Sequence, residues 1–339
     1  MIEAILTAIV YQNKYKIGVI NLSLGRPIQE SYQKDPLCRA VEQAWKAGIV
    51  VVVAAGNFGR LGYSTILSPA NDPYVITVGA MRPMGTDDRR DDLVASYSSK
   101  GPTAVDGIIK PDLVAPGNQV ISLLSHGSLL ARQNPGNAVT PDYLTLSGTS
   151  MAAPMVSAAV ALLIDSDKHI SPDTVKARLM KTAGKVFPGQ STVVDGGVSY
   201  TSYYDALTIG AGYLDIAAAL QNHEAAAKPA LSPRATYVRS TDRIYVAPDP
   251  ASLWNSSAMW GDTAVWGQTV MAPTGGASLP LGSFVLWGSS VMWGDSAMWG
   301  DSVMWGDSAM WGNSAMWGDS VMWGDSVMWG DSFAGKGER

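Results

Sequence analysis

The sequence predicts an α/β domain built on a mostly parallel sheet, followed by a repetitive tail. Residues 17–24 and 49–53 are apolar runs that each lead into a glycine turn, as buried parallel strands do. Residues 35–47 between them carry apolar side chains at helical spacing, so the three segments form one right-handed crossover unit. Residues 151–164 are apolar nearly all round, which is typical of a helix buried in the middle of a domain.

The other predicted elements follow from the same patterns of spacing and capping. Residues 1–15 have an apolar stripe at helical spacing and lead directly into the first strand. Residues 171–183 begin with Ser-Pro-Asp, a helix cap with proline at the first helical position. The remaining predicted elements are strands at 73–80, 93–98 and 113–124.

Composition argues against several classes of function. The chain has 339 residues, 47% of them hydrophobic, which suits one large domain plus an appendage. Its net charge of -5 and the lack of a basic cluster argue against nucleic-acid binding. The longest apolar stretch is too short and too rich in small residues for a membrane span. The N-terminus also lacks the layout of a signal peptide.

The sequence predicts neither a cofactor nor a metal site. The single cysteine, Cys38, has no partner for a disulfide or a thiolate metal site. The aspartates between residues 87 and 92 lack the alternating spacing of a calcium loop, so no motif supports structural calcium. A solvated loop tip is the favoured interpretation of that segment.

Ser150 is the candidate nucleophile, because it stands where a loop enters the helix predicted at 151–164. The backbone N–H groups and the positive dipole end of that helix would face whatever the serine attacks. The small residues Gly148 and Ala152 would let a substrate backbone come close. From these residues alone, a helix cap supplied by Thr149 or Ser150 is the alternative interpretation.

Asn57 is the second candidate, since it follows the buried run at 49–53 where that strand ends. Ligands in open α/β sheets bind at the carboxyl ends of the strands. The alternative is a left-handed turn, a conformation that asparagine tolerates well.

Five segments, in this order along the chain, resemble motifs of the subtilisin-like serine proteases, the subtilases. The resemblance covers residues 1–222 and implies a three-layer subtilisin-like domain that lacks its N-terminal strands. The segments are NLSLG at 21–25, VVVAAGN at 51–57, SSKGP at 98–102, KPDLVAPG at 110–117 and SGTSMAAP at 147–154.

The resemblance also implies a role for individual residues. Ser150 would be the acylated nucleophile, and Asn57 would be the side-chain donor of the oxyanion hole, completed by the Ser150 N–H. A polypeptide substrate would bind as an extra strand. Small wall residues predict room for a large apolar side chain before the scissile bond, with Leu67 making the floor shallower. The two walls of that pocket are Ser23, Leu24 and Gly25, and Ala54, Ala55 and Gly56.

The catalytic aspartate and histidine of the family are missing from this sequence. In subtilases they precede the serine along the chain, and this sequence begins after both. His126 stands in a His-Gly-Ser segment that we interpret as a surface loop, and His169 and His223 are expected to be exposed. A serine without a base is a weak nucleophile, so we expect the chain alone to be inactive or nearly so. A misassigned gene start is the simplest explanation. The alternatives are a truncated gene and an upstream half, carrying both residues, that a second polypeptide supplies as a partner.

A tryptophan recurs every six residues near the C-terminus, in a Ser-(Ala/Val)-Met-Trp-Gly-Asp unit. We divide the chain into a subtilase domain at 1–222, a linker at 223–253 and a Trp-rich tail at 254–339. Short strands joined by turns, as in a β-solenoid, suit the repeat, and a spacer of low order is the alternative. The tail would bind a surface or associate with itself.

Three functions are open at this stage. The first is a serine endopeptidase, secreted as the resemblance implies, that acts through an acyl-enzyme on Ser150. The second is a non-catalytic protein that binds peptides in a groove formed by the NLSLG segment at 21–25. The third is a surface-attachment or assembly protein in which the repeat is the active part.

Overall fold

A five-stranded sheet lies at the centre of the computed structural model, which describes residues 1–238, 243–247, 251–255, 278–279 and 338. The helices are α1 Ile2–Tyr15, α2 Pro36–Lys46, α3 Leu129–Gln133, α4 Thr149–Ser166, α5 Pro172–Thr182 and α6 Ile216–Gln221. The strands up to α4 are β1 Val19–Leu22, β2 Val50–Ala54, β3 Ile76–Arg82, β4 Leu93–Val94, β5 Leu113–Pro116, β6 Val120–Leu123, β7 Ala138–Thr140 and β8 Tyr143–Leu146. The later strands are β9 Gln190–Asp195, β10 Val198–Tyr203, β11 Arg234–Val238, β12 Arg243–Ala247 and β13 Ser278–Leu279.

The central sheet is mostly parallel, as the sequence predicts. Strand β2 lies between β1 and β3, and β5 pairs with β3; all three pairings are parallel, whereas β4 is antiparallel to β3. Leu22 pairs with Val53, and Ala54 pairs with Val78. The carboxyl ends of β1 and β2 therefore meet at one edge of the sheet.

Both faces of the sheet are covered. All five residues of β2 are buried, which requires packing on each side of the strand. Helix α4 packs across β1, β2, β3 and β5, whereas α2 packs on β2 and against α1. The predicted α/β fold with a mostly parallel sheet is confirmed. The helix that crosses the sheet, α4, begins one residue before the candidate nucleophile Ser150.

Helix α4 is long and apolar enough, by length and composition, to cross a membrane. By length and composition, the expectation that the longest apolar stretch is too short and too rich in small residues for a membrane span is therefore wrong for α4. Buried core helices meet the same measure, and Val156, Val160 and Leu163 of α4 are packed in the core.

The segment at 113–124, predicted as one strand, is divided between two sheets. Strand β5 stays in the central sheet, whereas β6 pairs with β8 in a separate antiparallel sheet that also contains β7. The break falls at Gly117–Gln119, where Gln119 takes a φ of 55° that no regular strand contains. The predicted strand at 93–98 is shortened to β4.

Part of the predicted linker at 223–253 packs onto the domain. Strands β11 and β12 pair with each other, and Ser232 is buried. Trp254, the first tryptophan of the predicted tail, is also buried and donates from Nε1 to the Leu231 carbonyl at 2.7 Å. The regular six-residue repeat lies outside the described residues.

Candidate active site

Ser150 lies at the second position of helix α4. Its backbone N–H has no carbonyl partner within the helix, because the first four N–H groups of any α-helix lack one. The Ser150 Oγ donates to the Ser23 carbonyl oxygen at 3.5 Å, and the Ser23 Oγ donates to the Ser150 carbonyl oxygen at 2.8 Å. Since Ser23 follows β1, these bonds hold the start of the helix at the carboxyl edge of the sheet. Ser150 is half-buried and open to solvent on one side.

Asn57, three residues after β2, lies at the same helix start. Its Oδ1 accepts a hydrogen bond from the Thr149 backbone N–H at 2.9 Å. A backbone N–H can only donate, so the carboxamide oxygen must face Thr149 and the Nδ2 group must face away from it. A Cβ added at Gly148 would lie 3.3 Å from that Nδ2. The amide donor of Asn57 therefore borders the turn that leads to Ser150.

Gly148 is required at this turn for two reasons. Its φ of 151° is a conformation that side-chain-bearing residues rarely adopt. A side chain there would also press against the carboxamide of Asn57. The Gly-Thr-Ser sequence thus lets the strand-end amide approach the helix start closely.

Thr149 is a site residue that sequence reasoning treated only as a possible helix cap. The structure shows no side-chain cap on α4, and the fully buried Thr149 hydroxyl has another use. Its Oγ1 accepts from the Gly56 N–H at 3.1 Å and donates to the Asn57 Oδ1 at 3.1 Å. Thr149 therefore fixes the Asn57 carboxamide through both its backbone and its side chain. The spacing of residues 57 and 149 along the chain gave no indication of this contact.

The two predicted pocket walls stand on either side of Leu67. A Cβ added at Gly25 would lie 2.8 Å from the Leu67 Cβ, and one added at Gly56 would lie 2.9 Å from the Leu67 Cγ. Leu24 and Gly25 are half-buried, whereas Ala54 and Ala55 are buried. Leu67 therefore lies against the glycines of both predicted walls, the position expected of a residue that makes the floor of the pocket shallower.

Backbone bonds tie that segment to both walls. Arg26 and Ser68 exchange N–H···O bonds of 2.9 and 2.8 Å, and the Leu67 N–H donates to the Ala55 carbonyl at 3.2 Å. The Ser68–Pro69 bond is cis. These bonds hold Leu67 and Ser68 in place against the segments of both predicted walls.

The chain's three histidines all lie in its described part, and none of them hydrogen-bonds to Ser150. His126 pairs with Asp142 at 3.2 Å, and both side chains are exposed. His169 and His223 are both exposed, as predicted. No histidine in the described part of the chain therefore acts as a base at this serine in the geometry observed.

The aspartate-rich loop is held by protein partners. Asp88 pairs with Arg90 at the surface, as a solvated loop predicts. Asp92 differs, because it is buried and accepts from the Tyr213 hydroxyl at 2.8 Å. Within the described ranges, no three His, Cys, Asp or Glu side chains are grouped so that they could hold a metal ion.

An α/β domain with a serine at a helix start beside a strand-end carboxamide has the layout of a serine peptidase. The model of the subtilase family matches residues 1–206, more than half of the sequence. The chain belongs to the subtilase family, whose members are serine peptidases. The resemblance seen in the five sequence segments is thereby confirmed.

Individual relatives match the same region. Serine protease AprX of Bacillus subtilis (strain 168) is 45% identical over 171 residues, which cover 50% of this chain and 38% of the relative. Subtilisin DY of Bacillus licheniformis is 33% identical over 220 residues, which cover 65% of this chain and 62% of the relative. The chain spans less than two thirds of the length of either relative.

Among solved structures, fervidolysin from Fervidobacterium pennivorans, a keratinolytic enzyme related to subtilisin, is similar over 64% of this chain and 28% of its own. The sequence identity is 27% and the TM-score is 0.45. The family assignment accordingly rests on the sequence matches.

Proposed function

We propose that this chain supplies the nucleophile and the oxyanion hole of a serine endopeptidase that acts on polypeptides. The observation that carries the proposal is the 2.9 Å bond from the Thr149 N–H to the Asn57 Oδ1. That bond leaves the amide of Asn57 available as a donor next to Ser150. A fixed donor that costs no reorganisation during the reaction is what stabilises a developing oxyanion.

In the proposed reaction, this chain supplies the nucleophile and the hydrogen-bond donors for the negative charge that develops on the substrate. The Ser150 Oγ attacks the scissile carbonyl carbon, and the carbonyl oxygen becomes negative. The Asn57 Nδ2–H and the Ser150 N–H donate to that oxygen. Collapse breaks the C–N bond, the leaving nitrogen takes up the proton that the serine hydroxyl gave to the base, and the acyl-enzyme left on Ser150 is then hydrolysed by water. The proton of the hydroxyl must pass to a base.

We propose that this base is a histidine, oriented by an aspartate, on a polypeptide segment that adds to the sheet beside β1. In the described part of the chain, β1 pairs with β2 on one side only. A parallel strand added to its other side would end next to Ser23, which contacts Ser150 through two hydrogen bonds. Without that segment, the same groove supports peptide binding and not hydrolysis.

The floor of the pocket defines the substrate class further. Leu67 lies against the glycines of both walls, so the residue before the scissile bond is a small one such as alanine or glycine. Neighbouring substrate residues pair through their backbones, which accepts most sequences. An extracellular location is part of this proposal. Binding to a surface through the Trp-rich tail also stays a prediction, because the repeat lies outside the described residues.

Labelling with a fluorophosphonate probe tests the proposal, because the probe reacts with serines that a base has activated. We expect no labelling of the chain alone. Addition of a polypeptide that carries the family's aspartate and histidine segments should produce labelling, which Ser150→Ala abolishes. Ser157→Ala is the matched control, since Ser157 lies in the same helix and its hydroxyl bonds to Asn21.

Two outcomes of that experiment contradict the proposal. Labelling of the chain alone would show that a base is already present. Labelling that survives Ser150→Ala would show that another residue is the nucleophile.

A further inference from the structure

Glu338 is buried in the catalytic domain, far along the chain from the residues that surround it. Its side chain is 1% exposed. One carboxylate oxygen lies 3.1 Å from an Arg60 guanidinium nitrogen and accepts from the Ser96 N–H at 3.0 Å. The Ser96 hydroxyl also bonds to this oxygen, and the second oxygen lies 3.2 Å from the same N–H. A buried carboxylate needs such partners, because an unpaired one is costly in a nonpolar environment.

The main chain of Glu338 is bound as specifically as its side chain. The Asn118 side chain accepts from the Glu338 N–H at 3.1 Å and donates to the Glu338 carbonyl at 3.0 Å. The Gln119 Nε2 donates to the same carbonyl at 2.9 Å. One side-chain amide thus satisfies both backbone groups of a single residue, as a neighbouring strand would. The surroundings select a peptide-linked acidic residue.

Arg60 is held in position independently of Glu338. A second guanidinium nitrogen pairs with Asp195 at 2.7 Å, and the guanidinium lies over the Tyr200 ring, 4.5 Å from its centroid. The Arg60 Nε also donates to the Ser96 hydroxyl at 2.8 Å. These contacts keep the cation aimed at the carboxylate, so its ordering does not depend on the occupant.

The loop that holds the Glu338 main chain also supports the turn before the candidate nucleophile. The Gln119 N–H donates to the Ser147 Oγ at 2.9 Å, and the Gly148 N–H donates to the Gly117 carbonyl at 2.9 Å. An occupant bonded to residues 118 and 119 therefore adds order to the segment that carries Ser150.

We propose that Arg60, Ser96, Asn118 and Gln119 form a binding pocket for a glutamate residue of an extended peptide. Glu338 of the same chain occupies it, bonded to the loop that supports the nucleophile turn. The pocket is separate from the groove between the two walls, and it does not depend on the proposed peptidase activity.

Hydrogen exchange at the Ser96 amide, measured in the full chain at residue resolution, tests the pocket. Glu338→Ala removes the acceptor of that amide, so we expect its exchange to become at least about tenfold faster. Glu338→Gln keeps an oxygen but removes the charge, and it should give a smaller increase. Asp331→Ala, which removes another carboxylate of the same segment, is the matched control and should leave the exchange unchanged.

Unchanged Ser96 exchange in Glu338→Ala would overturn the proposal. Measuring Ser96 amide exchange in the wild-type chain at decreasing protein concentration distinguishes Glu338 of the same chain from Glu338 of a second copy. Exchange that is independent of concentration supports the assignment to the same chain. Exchange that accelerates on dilution would overturn that assignment.

Discussion

The two ends of the central sheet are built from different chemistry. At the carboxyl ends of the strands, Asn57, Thr149 and Ser150 form a neutral network of amides and hydroxyls that is open to solvent at Ser150. At the amino ends of β3 and β5, Lys110 and Asp112 form a charged cluster with Lys176, and all three are fully buried. We propose that the open end, at the carboxyl ends of the strands, presents a donor to a substrate, whereas the closed end, at their amino ends, holds the strands in register.

Asp112 is the centre of the charged cluster. Its carboxylate lies 2.7 Å from Lys110 and 3.3 Å from Lys176, and it accepts from the Thr77 N–H at 2.7 Å. Burial raises the pKa of Asp112, but the two ammonium groups outweigh that effect and leave it below its usual value. Lys176 also donates to backbone carbonyls that precede β3, including that of Pro73 at 2.7 Å. The cluster therefore stabilises the fold and has no route to a substrate.

The comparison predicts the largest loss of stability at the closed end. Asp112→Ala leaves Lys110 and Lys176 buried without their counter-ion, and it should lower the free energy of unfolding by about 3–5 kcal/mol. Chemical denaturation measures the change. Asp165→Ala, at an exposed position on α4, should change it by less than about 0.5 kcal/mol. Equal effects of the two substitutions would contradict the account of the cluster.

At the open end, the largest expected effect is on catalysis and not on stability. Asn57→Asp keeps an oxygen for the Thr149 N–H but replaces the amide donor with a carboxylate. The loss of one such donor in subtilisin, a known case, lowers kcat by about 10²–10³-fold. We expect a decrease of the same size in kcat of the complemented protein, which is this chain combined with the polypeptide that carries the aspartate and histidine. Asn222→Asp, at the end of α6, is the control. A kcat that is unchanged in Asn57→Asp would exclude the oxyanion role.

The open groove should respond to a change in its floor. Leu67→Ala removes the side chain that separates Gly25 from Gly56. The ratio of kcat/KM for phenylalanine over alanine before the scissile bond should rise about 10–100-fold in the complemented protein. Peptide substrates that differ only at that residue measure the ratio. An unchanged ratio would show that Leu67 does not limit the pocket.

Thr149 lies at the open end of the sheet, and its buried hydroxyl contributes to the stability of the fold. Thr149→Val keeps the shape of the side chain but leaves the Gly56 N–H without its acceptor. The free energy of unfolding should fall by about 1–3 kcal/mol, the cost of an unsatisfied buried group. Thr149→Ser keeps the hydroxyl and should restore most of the loss. A loss in Thr149→Ser as large as that in Thr149→Val would contradict this account, because the methyl group would then contribute as much as the hydroxyl.

The smallest expected effect is the pH dependence of the closed end. Burial lowers the pKa of Lys176 to about 7, against the opposing attraction of Asp112. The unfolded chain, with its ordinary lysine pKa, binds more protons above that value, so this group makes the free energy of unfolding rise with pH. The slope is at most about 1.4 kcal/mol per pH unit.

Comparison of Lys176→Met with the wild type isolates this contribution. The stability difference, wild type minus variant, should grow between about pH 7 and 9, whereas Lys168→Met, at an exposed position, should give a constant difference. A difference for Lys176→Met that stays constant over this range would contradict the shifted pKa.

The sequence predicts the open end better than the closed one. Ser150 and Asn57 stand in recognisable motifs, because a helix start and a strand end are local features. The contact of Thr149 with Asn57 depends on how distant segments meet, and Leu67 is assigned to the pocket floor only through the family resemblance. The charged cluster joins residues 112 and 176, and nothing in the local sequence around either one indicates the other.

The division of 113–124 between two sheets has the same explanation. Its apolar pattern continues through β6, so periodicity alone predicts one strand. The turn at Gly117 and Gln119 is fixed by partners elsewhere in the chain, including the Ser147 hydroxyl. Local pattern therefore identifies the elements, and tertiary contacts decide where they end.

The most direct test of the proposed oxyanion hole is a crystal structure of the chain phosphonylated at Ser150, in complex with the polypeptide that supplies the aspartate and histidine. The account predicts that the phosphonyl oxygen lies about 2.7–3.1 Å from both the Asn57 Nδ2 and the Ser150 N. An adduct whose oxygen is turned away from Asn57, with no contact to that amide, would contradict the proposed active site.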